Sequence, residues 1–529
     1  MARLRAFVFV LLLFITSNAF ALNDPIRIDS GLIRGTTATA SSKVQVYRGI
    51  PYAAPPIGDL RWKAPGPVKP WKGIRDCREF GSSCLYVPYG AGSLWSGPEW
   101  DDLAKQNEDC LYLNVWTTAK SSDEKRPVMV WIHGGGLTRK SGSVPAYGGA
   151  NLALKGVVSV TINYRLGPFG FMAHPDLSKE SAHGSSGNYG VLDQIAALKW
   201  VQRNIASFGG DPERITIFGE SAGSWSVCFL TATPLAKDLF HRAIGQSGSN
   251  FGPMVHLSQD RGQLAAEKTG IEFAKKIGSK DKPASLKDLR GLPAKEVLSK
   301  YGKMPRSHNA PNVDGWVFPD EVAAIYEQGK QNPVNVIVGS NADEGTTFVW
   351  NVPDTIEAFK KYAQDKYGNM ADEFLKAYPV NNDSQVRDAY IASVGDDWFT
   401  WQMRTWARLM STVNTKAYQY YFSRVPPIPD NENYGSYHGA EIIYIIGNFH
   451  LASFKQQQAD KLLAETMSSY LINFAKTGNP NGEGLPEWPA YDNKDEYYME
   501  FGDTIQKGQH LAKDRSDFFY KYYTNKRNQ

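Results

Sequence analysis

The stretch Gly219-Glu-Ser-Ala-Gly223 limits what this chain can fold into more than any other. Ile215, Thr216, Ile217 and Phe218 precede it as a β-branched and aromatic run that reads as a buried strand. Val227 and Leu230 follow it in a helical pattern that stops before Pro234. A serine at the tip of so abrupt a strand-to-helix turn needs small residues two positions away on each side, because the turn has no room for a Cβ there. The helix then points its unpaired N–H groups at any negative charge forming beside Ser221. A Gly-rich turn with a solvated serine would carry the same five letters, so the partners elsewhere in the chain decide the matter.

Strand-like runs at residues 111–116, 128–132 and 157–162 lie upstream, each bounded by turn chemistry. Val191, Ile195, Leu198 and Ile205 then fall at helical spacing, and Gly209-Gly-Asp-Pro212 ends that helix. Downstream, 243–245 and 334–338 read as strands, 257–300 and much of 355–411 as helical, and 417–422 as a tyrosine-rich strand. A helix over about 457–476 is expected to close the fold before a Pro/Gly-rich tail. Alternation of strand and helix predicts an α/β fold: a large, mostly parallel sheet with helices on both faces. Residues 26–33 suggest a small N-terminal antiparallel hairpin, and Tyr47 to Trp62, rich in Gly and Pro, read as ordered loop. No repeat, low-complexity tract or linker divides residues 22–529, which are expected to form a single domain.

Arg3 and Arg5 precede an apolar run over 6–15, and Ala19-Phe-Ala21 offers small residues to a signal peptidase. This predicts a signal peptide cleaved after Ala21 and an exported protein, secreted or periplasmic, with no membrane span, since the run is too short to cross a bilayer. Net charge is only 58 − 54 = +4, without long basic runs, which argues against nucleic acid as a partner. Export permits disulfides among Cys77, Cys84, Cys110 and Cys228, and spacing alone does not choose the pairing. The sequence holds no C-x-x-C and no H-E-x-x-H, and its nine histidines are scattered, so neither metal nor cofactor is called for.

A serine hydroxyl is a poor nucleophile without a base in reach, a group that orients the base, and donors where an oxyanion will form. Ser221 comes first in the chain. Glu344 follows in the loop after a buried-strand run, and His438 sits in a Gly-flanked loop nearer the C-terminus. Nucleophile, acid, histidine is the chain order of the α/β-hydrolases, which this arrangement resembles. His133-Gly-Gly-Gly136 follows the 128–132 run, so the N–H groups of Gly135 and Gly136, with that of Ala222, would make a three-donor oxyanion hole. His133 itself reads as support for that loop. Glu220 adds a carboxyl beside the nucleophile.

With Tyr47-Arg-Gly-Ile-Pro-Tyr-Ala53, Glu108-Asp-Cys-Leu-Tyr-Leu-Asn-Val115, Asn163-Tyr-Arg-Leu-Gly167, Phe208-Gly-Gly-Asp-Pro212 and Gln246-Ser-Gly248, the chain resembles the type-B carboxylesterase and cholinesterase-like branch of the α/β-hydrolases. The resemblance covers nearly the whole mature chain. It implies an esterase acting through an acyl-enzyme on small-molecule carboxylic esters, with Ser221, Glu344 and His438 as its triad. It also implies that Ser247 supports the acid from behind and that Cys84 and Cys110 form a disulfide. Departures are visible. Leu137 stands where the family usually has phenylalanine, Cys77 has no counterpart, and its pairing with Cys228 stays open. Arg139 and Lys140 read either as a solvated pair or as a preference for esters with an anionic acid part. Trp100 lies where cholinesterases place a cation-binding tryptophan, which keeps choline esters as an alternative substrate. Amides and carbamates are others, and a non-catalytic binding protein of the same fold is the rival from another class.

Overall fold

A computed structural model of the chain describes residues 22, 24–279, 281–301, 310–428, 433–452 and 454–528. The expected signal peptide therefore lies outside the described residues. An 11-stranded sheet organises the rest. In chain order its strands are β1 (Thr36–Ala38), β2 (Ser41–Pro51), β3 (Tyr112–Thr117), β4 (Arg126–Ile132), β5 (Val158–Ile162), β6 (Gly210–Glu220), β7 (Arg242–Gln246), β8 (Asn335–Asn341), β9 (Ala417–Phe422), β10 (Tyr497–Phe501) and β11 (Ile505–Gln509). They lie side by side as β11-β10-β9-β8-β7-β6-β4-β5-β3-β2-β1. The block from β5 to β10 is parallel throughout, and antiparallel strands close both ends.

The centre of the parallel block is buried on both faces, which is why residues 127–132 of β4 and 336–338 of β8 read as unbroken apolar runs. In β4, Val128, Val130 and Ile132 point into one core and Met129 and Trp131 into the other, the period-2 alternation of a pleated strand. The first core is completed by helices α1 (Tyr189–Asn204), α2 (Ala222–Ala232) and α3 (Trp401–Met410), the second by α4 (Gln458–Thr477). Trp131 meets Phe218 edge-on at 4.9 Å across that second core. Truncating so large a buried ring costs about 3–5 kcal/mol in typical cores.

The N-terminal hairpin is present: Ile26–Ile28 pairs antiparallel with Gly31–Arg34. Two expectations need correction. Residues expected as loop from Tyr47 begin inside β2, whose pairing with β3 shifts register between Tyr47 and Ile50. Gly49 sits there at φ 62°, and its N–H is met by Asn114 Oδ1 at 3.0 Å, so a bulge accommodates the glycine within the strand. Nor does α4 close the fold. Two further strands, β10 and β11, and a final helix α5 (Lys513–Arg527) follow it. Met499 and Phe501 of β10 enter the core beside Trp488 while their neighbours stay half-buried, a short alternation in a tyrosine-rich tail. No helix among the described residues is long and apolar enough to cross a membrane.

Strand order reverses around β4, since β5 lies on one side of it and β6 on the other. In open parallel sheets the crevice at the carboxyl ends of such strands is where ligands bind.

Candidate active site

β4 and β6 end side by side at that crevice. Ser221 follows β6 directly and takes φ 57°, ψ −125°, a conformation that residues other than glycine rarely adopt. The turn is possible because its flanking glycines touch the end of β4: a Cβ on Gly223 would lie 2.0 Å from the Ile132 carbonyl oxygen, and one on Gly219 2.5 Å from it. Ser221 N–H donates to the Gln246 carbonyl at 2.8 Å, and α2 starts at Ala222 with its first amides unpaired within the helix.

Beyond β4 the chain turns through Gly135 at φ 98°, Gly136 at φ 65° and Leu137 at φ 58°. His133 supports this loop as expected. It is buried, stacks on Tyr164 at 4.5 Å and bonds the Gly134 carbonyl through Nδ1 at 2.9 Å. Burial pulls its imidazole down to about 4, so it is neutral at physiological pH.

The structure brings Glu344 and His438 together across 94 residues. His438 Nδ1 lies 2.6 Å from Glu344 Oε2, and both side chains are buried. The other carboxylate oxygen of Glu344 accepts the Asn341 N–H at 2.8 Å, fixing the carboxylate just beyond β8. Phe399 stacks on the imidazole at 4.4 Å, while Phe348 and Trp95 meet it edge-on at 5.0 and 6.3 Å. The opposite nitrogen, Nε2, has no hydrogen-bond partner among the described residues. Glu220 Oε1 lies 3.1 Å from it without forming a hydrogen bond. A serine–imidazole hydrogen bond is therefore not made here, and such bonds commonly tighten only in the complex with substrate.

Glu441, three residues after His438 in the loop Tyr437-His-Gly-Ala-Glu441, brings a third carboxyl that the sequence does not single out. It is fully buried and accepts from Asn341 Nδ2 at 2.6 Å. Burial, then the charges of Glu220 and Glu344, push its carboxyl up to about 8. Burial and the Glu344 charge also hold Glu220 well above the ordinary carboxylate range. Both shifts favour the neutral carboxyl.

Ser247 follows β7 at φ 52° and donates its N–H to the Gly339 carbonyl at 2.8 Å, while its buried hydroxyl has no hydrogen-bond partner among the described residues. Cys84 and Cys110 are buried neighbours, both free thiols here rather than the expected disulfide. The hydrogen bond with Cys84, then burial, raises the Cys110 thiol. Cys77 and Cys228 do not pair either. Cys228 lies 3.9 Å from the Tyr326 hydroxyl, and the Cys77 carbonyl accepts the Arg48 N–H of β2 at 2.6 Å. Lys140 is not solvated. It is buried, and its Nζ donates to the carbonyls of Trp95 and Trp100 at 2.7 and 2.6 Å. Burial pulls its ammonium down to about 8, although Asp101 and Asp102 favour the charge.

A model of the Carboxylesterase family matches residues 23–519. The chain belongs to this family. It is 36% identical over 497 residues to the fumonisin B1 esterase of Sphingopyxis macrogoltabida, covering 92% of this chain and 89% of that one. It is 34% identical over 479 residues to the para-nitrobenzyl esterase of Bacillus subtilis (strain 168), covering 87% and 91%. The liver carboxylesterase 1F of Rattus norvegicus is 33% identical over 518 residues, with 90% of each covered. This member of the carboxylesterase family is an α/β-hydrolase and a carboxylic ester hydrolase.

Proposed function

We propose that the chain is an exported serine esterase that cleaves small-molecule carboxylic esters through an acyl-enzyme. The observation that carries this reading is the 2.6 Å pair of Glu344 and His438 beside the strained Ser221 turn. Ser221 Oγ attacks the ester carbonyl carbon while His438 Nε2 takes the hydroxyl proton. The oxyanion is held by the N–H groups of Gly135, Gly136 and Ala222. Collapse breaks the bond to the leaving alkoxide, which takes the proton from Nε2. Water then repeats the sequence on the acyl-enzyme and releases the acid. Glu344 orients the imidazole and stabilises the imidazolium.

Ser247, set at the end of β7, is assigned to support of this machinery from behind. Export by a signal peptide cleaved after Ala21 would place Cys84 and Cys110 in an oxidising compartment, where thiol–disulfide exchange with an oxidised disulfide carrier takes up their two electrons and two protons and closes a disulfide. Two relatives are named as esterases of fumonisin B1 and of para-nitrobenzyl esters, which supports an ester as the substrate here. The test is hydrolysis of a para-nitrophenyl ester by the purified chain and by S221A. The variant should lose roughly 10⁴-fold or more in kcat while keeping its circular dichroism spectrum. Wild-type turnover by S221A would remove the reading.

A further inference from the structure

Lys140 is a buried cation that the proposed reaction does not use. Its Nζ lies 5.1 Å from the Tyr89 ring centroid and 5.7 Å from that of Trp100, within the range of a cation–π contact. Two backbone carbonyls accept its protons. A cavity of about 390 Å³ opens beside it, and Asp101 and Asp102 share its wall. Aromatic faces, carbonyl oxygens and carboxylates together are the materials of a cation-binding site.

Trp95 stands between that cavity and the candidate active site. Its indole lines the cavity and also meets the His438 ring edge-on. Its Nε1 would lie 3.6 Å from a Cβ on Gly439. A substrate group that passes Trp95 thus meets an ammonium already seated among the rings.

We propose that Lys140 is a specificity-determining residue: its ammonium occupies the aromatic cation site from within the chain and so excludes cationic esters from a cavity that accepts neutral groups. This rests on the esterase reading. It turns the choline-ester alternative around, because Trp100 has its cation in place. It also removes Lys140 from the expected recognition of anionic acid parts, since two of its protons go to carbonyls and Asp101 and Asp102 stand beside it, while Arg139 is the second cation on the Tyr89 ring, at 4.4 Å.

The test compares acetylcholine with its neutral carbon isostere, 3,3-dimethylbutyl acetate, at pH 7. Turnover of the neutral ester by the wild type reports on the esterase reading, and the ratio of the two kcat/KM values reports on Lys140. K140M should raise the cationic-to-neutral ratio about 10-fold, and K140R should leave it unchanged. A K140M variant that keeps neutral-ester turnover with an unchanged ratio overturns the proposal. If K140M does not fold, tetramethylammonium on the wild type decides instead. Failure to compete with the neutral ester supports an occupied site, and competitive inhibition at millimolar concentration overturns it.

Discussion

The floor of the site and the wall above it are held by different means. At the floor, β4 and β6 end in backbone contact, with Gly223 packed on the Ile132 carbonyl, and Ser221, Gly135, Gly136 and Glu344 each follow a strand end by a few residues. The wall, residues 85–105, contains neither strand nor helix. Scattered contacts hold it: Lys140 ties the carbonyls of Trp95 and Trp100, Ser143 donates to Asp102, and the N–H groups of Ala146 and Ser83 meet the carbonyls of Glu99 and Lys105 at 2.9 Å. Floor geometry is fixed by backbone sterics, which tolerate little change. Wall geometry is fixed by a few replaceable contacts, so it is where specificity can vary without loss of the chemistry.

If that contrast holds, floor substitutions act on kcat and wall substitutions on substrate choice. The largest effect should come from H438A, which removes the base and should lower kcat by about 10⁴–10⁶-fold. E344Q should follow at about 10⁴-fold, because the amide can still accept from Asn341 N–H but leaves the imidazolium without its anion. G135A comes next. Its Cβ would lie 2.3 Å from the Arg139 carbonyl oxygen at φ 98°, so the loop must shift, and kcat should fall about 10²–10³-fold. Steady-state kinetics on one neutral ester ranks all three, and a G135A enzyme with wild-type kcat would break the assignment of that amide.

W100A tests the wall. It removes a buried ring packed on Tyr147 and should cost about 3 kcal/mol in denaturant unfolding, while kcat for a small neutral ester stays within a few-fold. A kcat loss as large as that of G135A would erase the distinction between the two regions.

The contrast is last sharpened by a pH signature of Glu441, which acts on stability and not on turnover. Its folded value of about 8 lies above the ordinary 4.5, so between those limits the native chain binds more protons than the unfolded one. The contribution to stability is fully present below about 4.5 and is lost as pH rises through about 8. E441Q has no such proton to lose, so its stability should fall less steeply across that window, with Glu220 supplying the slope that remains. Chemical denaturation at a series of pH values measures the difference, and parallel curves would contradict it.

The same contrast explains what is legible in the sequence. Ser221, its flanking glycines and the Gly134–Gly136 run can be read because local sterics demand those residues. Glu344 and His438 can be read as loop residues in the right chain order, but their 2.6 Å contact depends on β8 and β9 lying side by side. Phe399, Asn341 and Glu441 carry no local signal for the work they do around the imidazole. Lys140 misleads, since adjacent basic residues in a Gly-rich segment look solvated, and only the tertiary fold supplies the carbonyls that accept its protons. The late strands β10 and β11 are hidden for a related reason: each is short, and pairing with β9 and with each other, rather than propensity, makes them strands.

The central claim is that Ser221 is the group made reactive. Treating the folded chain with a fluorophosphonate and mapping the adduct by peptide mass spectrometry tests it most directly. One phosphonyl group on Ser221, lost in H438A, is the predicted result. An unmodified Ser221 in an enzyme that still hydrolyses esters, or an adduct on a different residue that abolishes hydrolysis, would contradict it.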